Sequence, residues 1–278
     1  MKNKKIYIEI LRIIAILCVI FNHTGNAGFS VYTITSNPIN YHFSLFMSVL
    51  CKIGVPIFFM ISGALLLGKD ESIKTVLFYR VLKYIVIIIF ASTFYYIYDI
   101  IYCKTDLSVI QFIKKIYNTN YSYQLWFLYS YLSYLIMLPI LRSIVKSISE
   151  NTYKYCIIVQ LIFCGVIPII NFILKINNRM EVSVPIMTSQ NIFFAMIGYY
   201  FGNLFDINKL RKKDYIKMIL TSVTSVVISE IMTFMNYLRV GSYDESYYNL
   251  FVAIPTITIF ILVKKYSKSI KYKRQLEI

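Results

Sequence analysis

Hydrophobic residues recur in eight long stretches, near residues 6–28, 43–67, 77–102, 123–141, 155–174, 187–205, 215–236 and 248–263, separated by short polar or basic segments. About twenty apolar residues in helical geometry cover the roughly 30 Å of hydrocarbon in a bilayer, and a helix satisfies its own backbone donors and acceptors there. The pattern predicts an all-α chain, a polytopic bundle of about eight transmembrane helices. Residues 107–121, LSVIQFIKKIYNTNY, carry paired lysines and predict a short interfacial helix on the outer side. The polar segment from Thr24 to His42 has no Lys or Arg and reads as an outer loop. The first stretch is too long for a cleavable signal peptide and lacks a small-residue cleavage site, so it is read as a retained span. With no internal repeat, linker or low-complexity tract visible, residues 1–278 read as one domain.

Basic residues set the orientation. With the N-terminus assigned to the cytoplasm, cytoplasmic segments hold 21 Lys and Arg and outer segments hold six, while Arg12 and Lys52 lie within spans. Retention of Lys and Arg on the cytoplasmic side produces such a bias. Eight spans with both termini cytoplasmic follow. The basic C-terminal tail is expected against anionic lipid headgroups.

Composition agrees with the membrane reading. The chain is 58% hydrophobic and 15% charged, with a mean hydropathy of +0.63, whereas a soluble domain carries roughly 25% charged residues. Its net charge of +16 is explained by the cytoplasmic lysines and arginines, so no nucleic-acid partner is called for. Cys18, Cys51, Cys103, Cys156 and Cys164 fall in or beside apolar runs without CxxC or zinc-type spacing, and read as buried reduced thiols. No metal cluster or phosphate-cradling glycine loop is visible in the sequence.

Ionisable side chains inside a span are costly, and each marks a candidate site. In the first span, Arg12 and His23 are eleven residues apart, about three turns plus 20°, and roughly 16 Å along the axis. Ala15 and Val19 lie within about 60° of that line, as does Glu9 on the other side. One stripe of the helix thus carries an acid, an arginine and a histidine, and should face protein or water. Blander readings stand beside it. Glu9 and Arg12 suit a plain i,i+3 ion pair, Arg12 can snorkel, and His23 can be a satisfied interfacial histidine. His42, at the outer edge of the second span, reads as interfacial, as does Asp99 in the third. Glu230 lies about fifteen residues into the seventh span, at a depth comparable with His23. It is a candidate for orienting that imidazole, with another polar partner as the alternative.

The pattern Glu9-x-x-Arg12-x-x-Ala15-x-x-x-Val19-x-x-x-His23 resembles the opening helix of the acyltransferase-3 family. Further blocks follow in the family's order: Gly54-Val-Pro-Ile-Phe-Phe-Met-Ile-Ser-Gly63, Phe78-Tyr-Arg80-Val-Leu-Lys83, Leu125-Trp126-Phe127-Leu128 and Phe193-Phe-Ala-Met-Ile-Gly198-Tyr-Tyr-Phe-Gly202. Each block is mostly apolar, and it is the ordered set over about residues 5–205, anchored on Arg12 and His23, that makes the likeness specific. Three features depart from the family. Lys83 stands for a second arginine, making any bidentate phosphate contact a point-charge one. Gln124 stands where many members have histidine. About eight bilayer-length spans replace the family's larger number, so a late helix pair is expected to be missing.

The resemblance implies an integral-membrane O-acyltransferase of a bacterial plasma membrane. Its co-substrate is cytoplasmic acyl-CoA, commonly acetyl-CoA, and its acceptor is a hydroxyl of a cell-surface or lipid-linked glycan. On that reading Arg80 and Lys83, with Arg12 behind them, meet the CoA phosphates. His23 is the general base on the acceptor hydroxyl, or else carries the acyl group itself. Trp126 reads first as an interface anchor, and with Gln124 forms the candidate acceptor contact. Ser62-Gly63 reads as helix packing rather than as a nucleophile. The rival function is a glycan or lipid-linked sugar flippase with Glu9, Arg12 and Glu230 along its path, weakened by the absence of an inverted repeat.

Overall fold

The computed structural model describes residues 6–104, 108–174, 189–241 and 250–267. Among these residues every regular element is helical. The helices are α1 (Ile6–Asn22), α2 (Pro38–Cys51), α3 (Gly54–Leu66), α4 (Ile73–Tyr102), α5 (Val109–Asn118), α6 (Tyr123–Ser147), α7 (Glu150–Leu174), α8 (Gln190–Tyr199), α9 (Lys212–Val240) and α10 (Leu250–Tyr266). Among the described residues, five helical stretches, Pro38–Leu66, Ile73–Tyr102, Tyr123–Ser147, Glu150–Leu174 and Lys212–Arg239, are long and apolar enough to cross a membrane. Both α1 and α10 have 17 residues and α8 has 10. Residues 175–188 and the basic tail after Ser267, where outer and cytoplasmic charges were counted, lie outside the described residues, as do the beginnings of the stretches expected at 187–205 and 248–263.

The stretch expected as one span over 43–67 lies within the candidate span Pro38–Leu66, in which a two-residue turn at 52–53 separates α2 from α3. The ring of Pro56, two residues into α3, lacks an N–H and crowds the carbonyl four residues earlier, so the α2 ladder ends before it. Wider π turns, bonded i→i+5, interrupt α4 at Val76–Val81 and α7 at Ile162–Val166, and a third, Tyr200–Leu204, ends α8.

The chain divides into two compact units, Met1–Leu65 with Ser149–Ile278, and Leu66–Ile148. In the first, α3 and α8 touch backbone to backbone. A Cβ on Gly63 would stand 1.8 Å from the Ala195 carbonyl oxygen, and one on Gly198 2.0 Å from that of Met60. Small residues allow this approach, which apolar surroundings reward through dispersion rather than through burial from water. Polar groups bridge the remaining helices. Tyr153 donates to the Met196 carbonyl (2.8 Å), Asn203 Nδ2 to that of Ala64 (2.9 Å), and Ser222 to Thr258 Oγ1 (2.7 Å). Lys264 Nζ donates to the carbonyls of Phe201 and Gly202 (2.6 and 3.0 Å), which lie in the π turn that ends α8.

In the second unit, α4 and α6 meet through Tyr84 and Tyr131, with ring centroids 4.6 Å apart. Helix α5 opens on a capping box from Ser108 and Gln111. It leaves Ile110, Ile113 and Tyr117 exposed on successive turns beside Lys114 and Lys115, the amphipathic form expected of an interfacial helix. Residue 107, expected at its start, is outside the described residues. Tyr121 donates to Asp99 Oδ2 (2.9 Å), and burial pushes that phenol up to about 12. All five cysteines are free; Cys103 is exposed, against the expectation of burial, because it follows the last residue of α4 where the chain leaves the helix.

Candidate active site

Helix α1 is apolar from Ile6 to Asn22 with no acid after Glu9. Arg12 Nη1 donates to Glu9 Oε1 at 2.8 Å, and both side chains are about half exposed, 44% and 49%. The pair is therefore the i,i+3 ion pair at one end of the stripe, a geometry worth only a few tenths of a kcal/mol at a wet surface. Midway, Ala15 is fully buried. A Cβ on Gly54 would come 3.0 Å from the Ala15 carbonyl oxygen and 3.1 Å from Val19 Cγ2. The middle of the stripe thus faces α3.

His23 stands one residue beyond α1. Its backbone N–H closes a last turn on the Ile20 carbonyl (3.0 Å), and its side chain is exposed, with no ring partner among the described residues. The segment after it is ordered by local bonds. Thr24 Oγ1 donates to the Phe21 carbonyl (2.7 Å) and accepts from Phe29 N–H (2.9 Å). Ser48 donates to the Phe29 carbonyl, and the Asn37 side chain caps α2. Tyr32 is buried with Leu45, Val49 and Val226. The polar loop that follows His23 is thus tied down on α2.

Glu230 is bound to the other histidine. His42 Nδ1 and Glu230 Oε1 are 2.8 Å apart, the carboxylate side chain 14% exposed and the imidazole 63%. Of the two expectations for Glu230, orientation of His23 or pairing with another polar group, the contact formed is the second, and its partner His42, read as interfacial, is largely exposed. Comparable depth in two helices says nothing of which faces meet, and α9 presents Glu230 to α2. The arrangement holds the imidazole by Nδ1 and leaves Nε2 available for proton transfer, as in other carboxylate-oriented histidines.

Arg80 lies in the α4 π turn, a distortion that re-aims side chains. It is not free. Its Nε and Nη2 donate to Glu71 Oε2 and Oε1 at 2.9 and 2.6 Å, a bidentate fork. Glu71 also accepts from Arg142 Nη2 (3.0 Å), and Arg142 Nε donates to the Leu66 carbonyl (2.9 Å). The Arg80 guanidinium holds the Glu71 carboxyl down to about 2; burial opposes that shift and Arg142 adds to it. Lys83, one turn beyond Arg80, is exposed without a charged partner among the described residues. Neither Glu71 nor Arg142 stands out in the sequence. Glu71 sits in a short polar turn and Arg142 reads as one more cytoplasmic cation, with 71 positions between them.

Gln124, exposed, accepts from the Ser122 hydroxyl, and Trp126 follows one residue beyond the short 3-10 turn Tyr123–Leu125, its ring against Phe127. Ser62 donates back to the Phe58 carbonyl of its own helix (2.8 Å), and Gly63 makes the α8 contact.

No curated protein and no solved structure matches the chain. A family model described as an acyltransferase domain, acyltransferase 3, matches residues 5–274. That stretch takes in α1, the α3–α8 contact and the Arg80 segment alike. Matched over nearly its whole length, the chain belongs to the acyltransferase-3 family, a membership that points to a membrane acyltransferase.

Proposed function

We propose that this protein is an integral-membrane O-acyltransferase that moves an acyl group, commonly acetyl, from cytoplasmic acyl-CoA to a hydroxyl of a cell-surface or lipid-linked glycan. The whole chain acts as one catalytic domain of a bacterial plasma membrane, with eight helical stretches crossing the bilayer and both termini cytoplasmic. The 17-residue helices reach about 26 Å, close to the hydrocarbon thickness. What carries the reading is the family match taken with α1, which holds Arg12 along its length and leaves an exposed imidazole, His23, at its far end.

In this reading the acceptor hydroxyl gives its proton to His23 as its oxygen bonds to the thioester carbonyl carbon. The carbon–sulfur bond breaks, and the CoA thiolate leaves and recovers the proton. Positioning of donor and acceptor supplies much of the acceleration. Glu9 and Arg12 lie along the donor's path, Arg80 and Lys83 bind its phosphates, and Gln124 and Trp126 contact the acceptor. Glu230 acts through His42.

Membranes containing the protein, given labelled acetyl-CoA, test this directly. Label appearing in glycan, and lost in His23→Ala at equal expression, supports it. Activity kept in that variant and lost in His42→Ala moves the base to the carboxylate-held imidazole. No transfer from any acyl-CoA would favour the flippase.

A further inference from the structure

Arg142 is the most deeply buried charged side chain among the described residues, 4% exposed. Taking a guanidinium out of water costs several kcal/mol, repaid only when its donors are matched by acceptors and its charge by an anion. Here the match is incomplete. Nε is used on the Leu66 carbonyl and Nη2 on Glu71, while Nη1 is buried and meets no acceptor among the described residues. Arg80 repeats the pattern from the other side of the same carboxylate, spending Nε and Nη2 on Glu71. Lys69 Nζ stands a further 3.6 Å from Glu71 Oε1. One carboxylate therefore faces three cations. Asp70, the acid next to it, is engaged by Lys146 (2.9 Å). A formal surplus of two positive charges remains around Glu71.

We propose that Arg142 and Arg80 together seat a phosphate monoester of the acyl-CoA donor, with Glu71 as the positioning residue that sets both guanidiniums edge-on so that each keeps an Nη1 for the ligand. The assignment rests on the reading that the Arg80 segment meets the donor. A phosphate monoester carries nearly two negative charges at neutral pH and three acceptor oxygens, which suits the surplus and the two remaining nitrogens. A neutral ligand or a single carboxylate would leave charge uncompensated. Arg80, with its side chain a quarter exposed, is the side from which the seat is reached. Arg142 is thereby a donor-binding residue 62 positions from the family-like basic segment, brought to it by the packing of α6 on α4.

The test uses the full chain in nanodiscs of zwitterionic lipid. Acetyl-CoA is compared with acetyl-dephospho-CoA, which differs only by the monoester. The wild type should prefer acetyl-CoA by roughly ten- to hundredfold in KM, the size of a charge-assisted bond, with kcat little changed. Arg142→Lys, which keeps the charge but not the fork, should erase most of that preference. Glu71→Gln should weaken it partly, because the guanidiniums remain but lose their common anchor. Equal KM for the two donors in the wild type overturns the assignment with no variant needed, and so does an unaltered preference in a folded Arg142→Lys. Nanodiscs containing anionic lipid form a second arm. If anionic lipid raises the acetyl-CoA KM and Arg142→Lys abolishes that rise, a lipid headgroup occupies the seat and the assignment fails. Absence of any acyl-CoA binding would overturn the functional reading together with this one, whereas binding without dependence on the monoester overturns only this one.

Discussion

Glu230 Oε1 lies 2.8 Å from His42 Nδ1, joining two helices across 188 positions of chain. The acid is the costlier partner, since its side chain is only 14% exposed and sits in a helix apolar enough to cross a membrane. Removing the imidazole alone strands it, whereas removing both leaves nothing to strand. His42→Ala is expected to lower stability by about 1–3 kcal/mol, and His42→Ala/Glu230→Gln to recover most of that loss. Thermal midpoints of the four proteins in detergent give the coupling. Additive losses would mean that the contact contributes nothing.

His23 has no ring partner among the described residues and lies beyond the end of α1. Its replacement by alanine should therefore leave stability within about 0.5 kcal/mol of wild type, as for other surface changes, with the thermal midpoint little moved, while acyl transfer disappears. A large fall in midpoint would show that His23 supports the fold instead.

Glu71 supplies a pH signature. Its carboxyl sits at about 2 in the folded protein against an ordinary 4.5. A lowered folded value means that the stability it contributes is fully present above about 4.5 and is lost as pH falls towards about 2. Between pH 5 and 3 the midpoint of the wild type should fall more steeply than that of Glu71→Gln, which has no proton to take up there. Parallel curves would contradict the hold of Arg80 and Arg142 on Glu71.

At the α3–α8 contact, Gly63→Ala and Gly198→Ala each drive a Cβ into a facing backbone carbonyl, at an expected cost of about 1–3 kcal/mol or more. Ser62→Ala, one position away, removes only a bond to its own helix and should change stability by under about 1 kcal/mol. The same pair separates packing from chemistry. Activity lost in Ser62→Ala at unchanged stability would make that hydroxyl a reactant.

How far a sequence can be read is visible in these sites. Apolar periodicity located the long helices and the amphipathic one, because bilayer thickness and backbone satisfaction leave few alternatives. It places the span over 43–67, within Pro38–Leu66, but does not mark the short turn between α2 and α3, because hydropathy runs unbroken through it. The Ser62-Gly63 contact was legible since small residues in apolar helices signal close approach. The stripe on α1 was legible too, being a property of one helix, and its Ala15–Val19 middle indeed lies against Gly54.

Pairings between helices were a different matter. Periodicity places a residue at an angle and a height on its own helix; it carries no information on which face of which neighbour stands opposite. Matching depth alone therefore offers Glu230 either His23 or another polar partner and cannot single out His42, and Arg142, one more basic residue at a span end, gives no sign that it is buried against Glu71. Element type, the amphipathic form of α5 and the family follow from order along the chain, because local backbone and solvent physics act there. The partners of charged groups follow from how the helices pack, where the requirement to neutralise each buried charge selects among residues far apart in sequence.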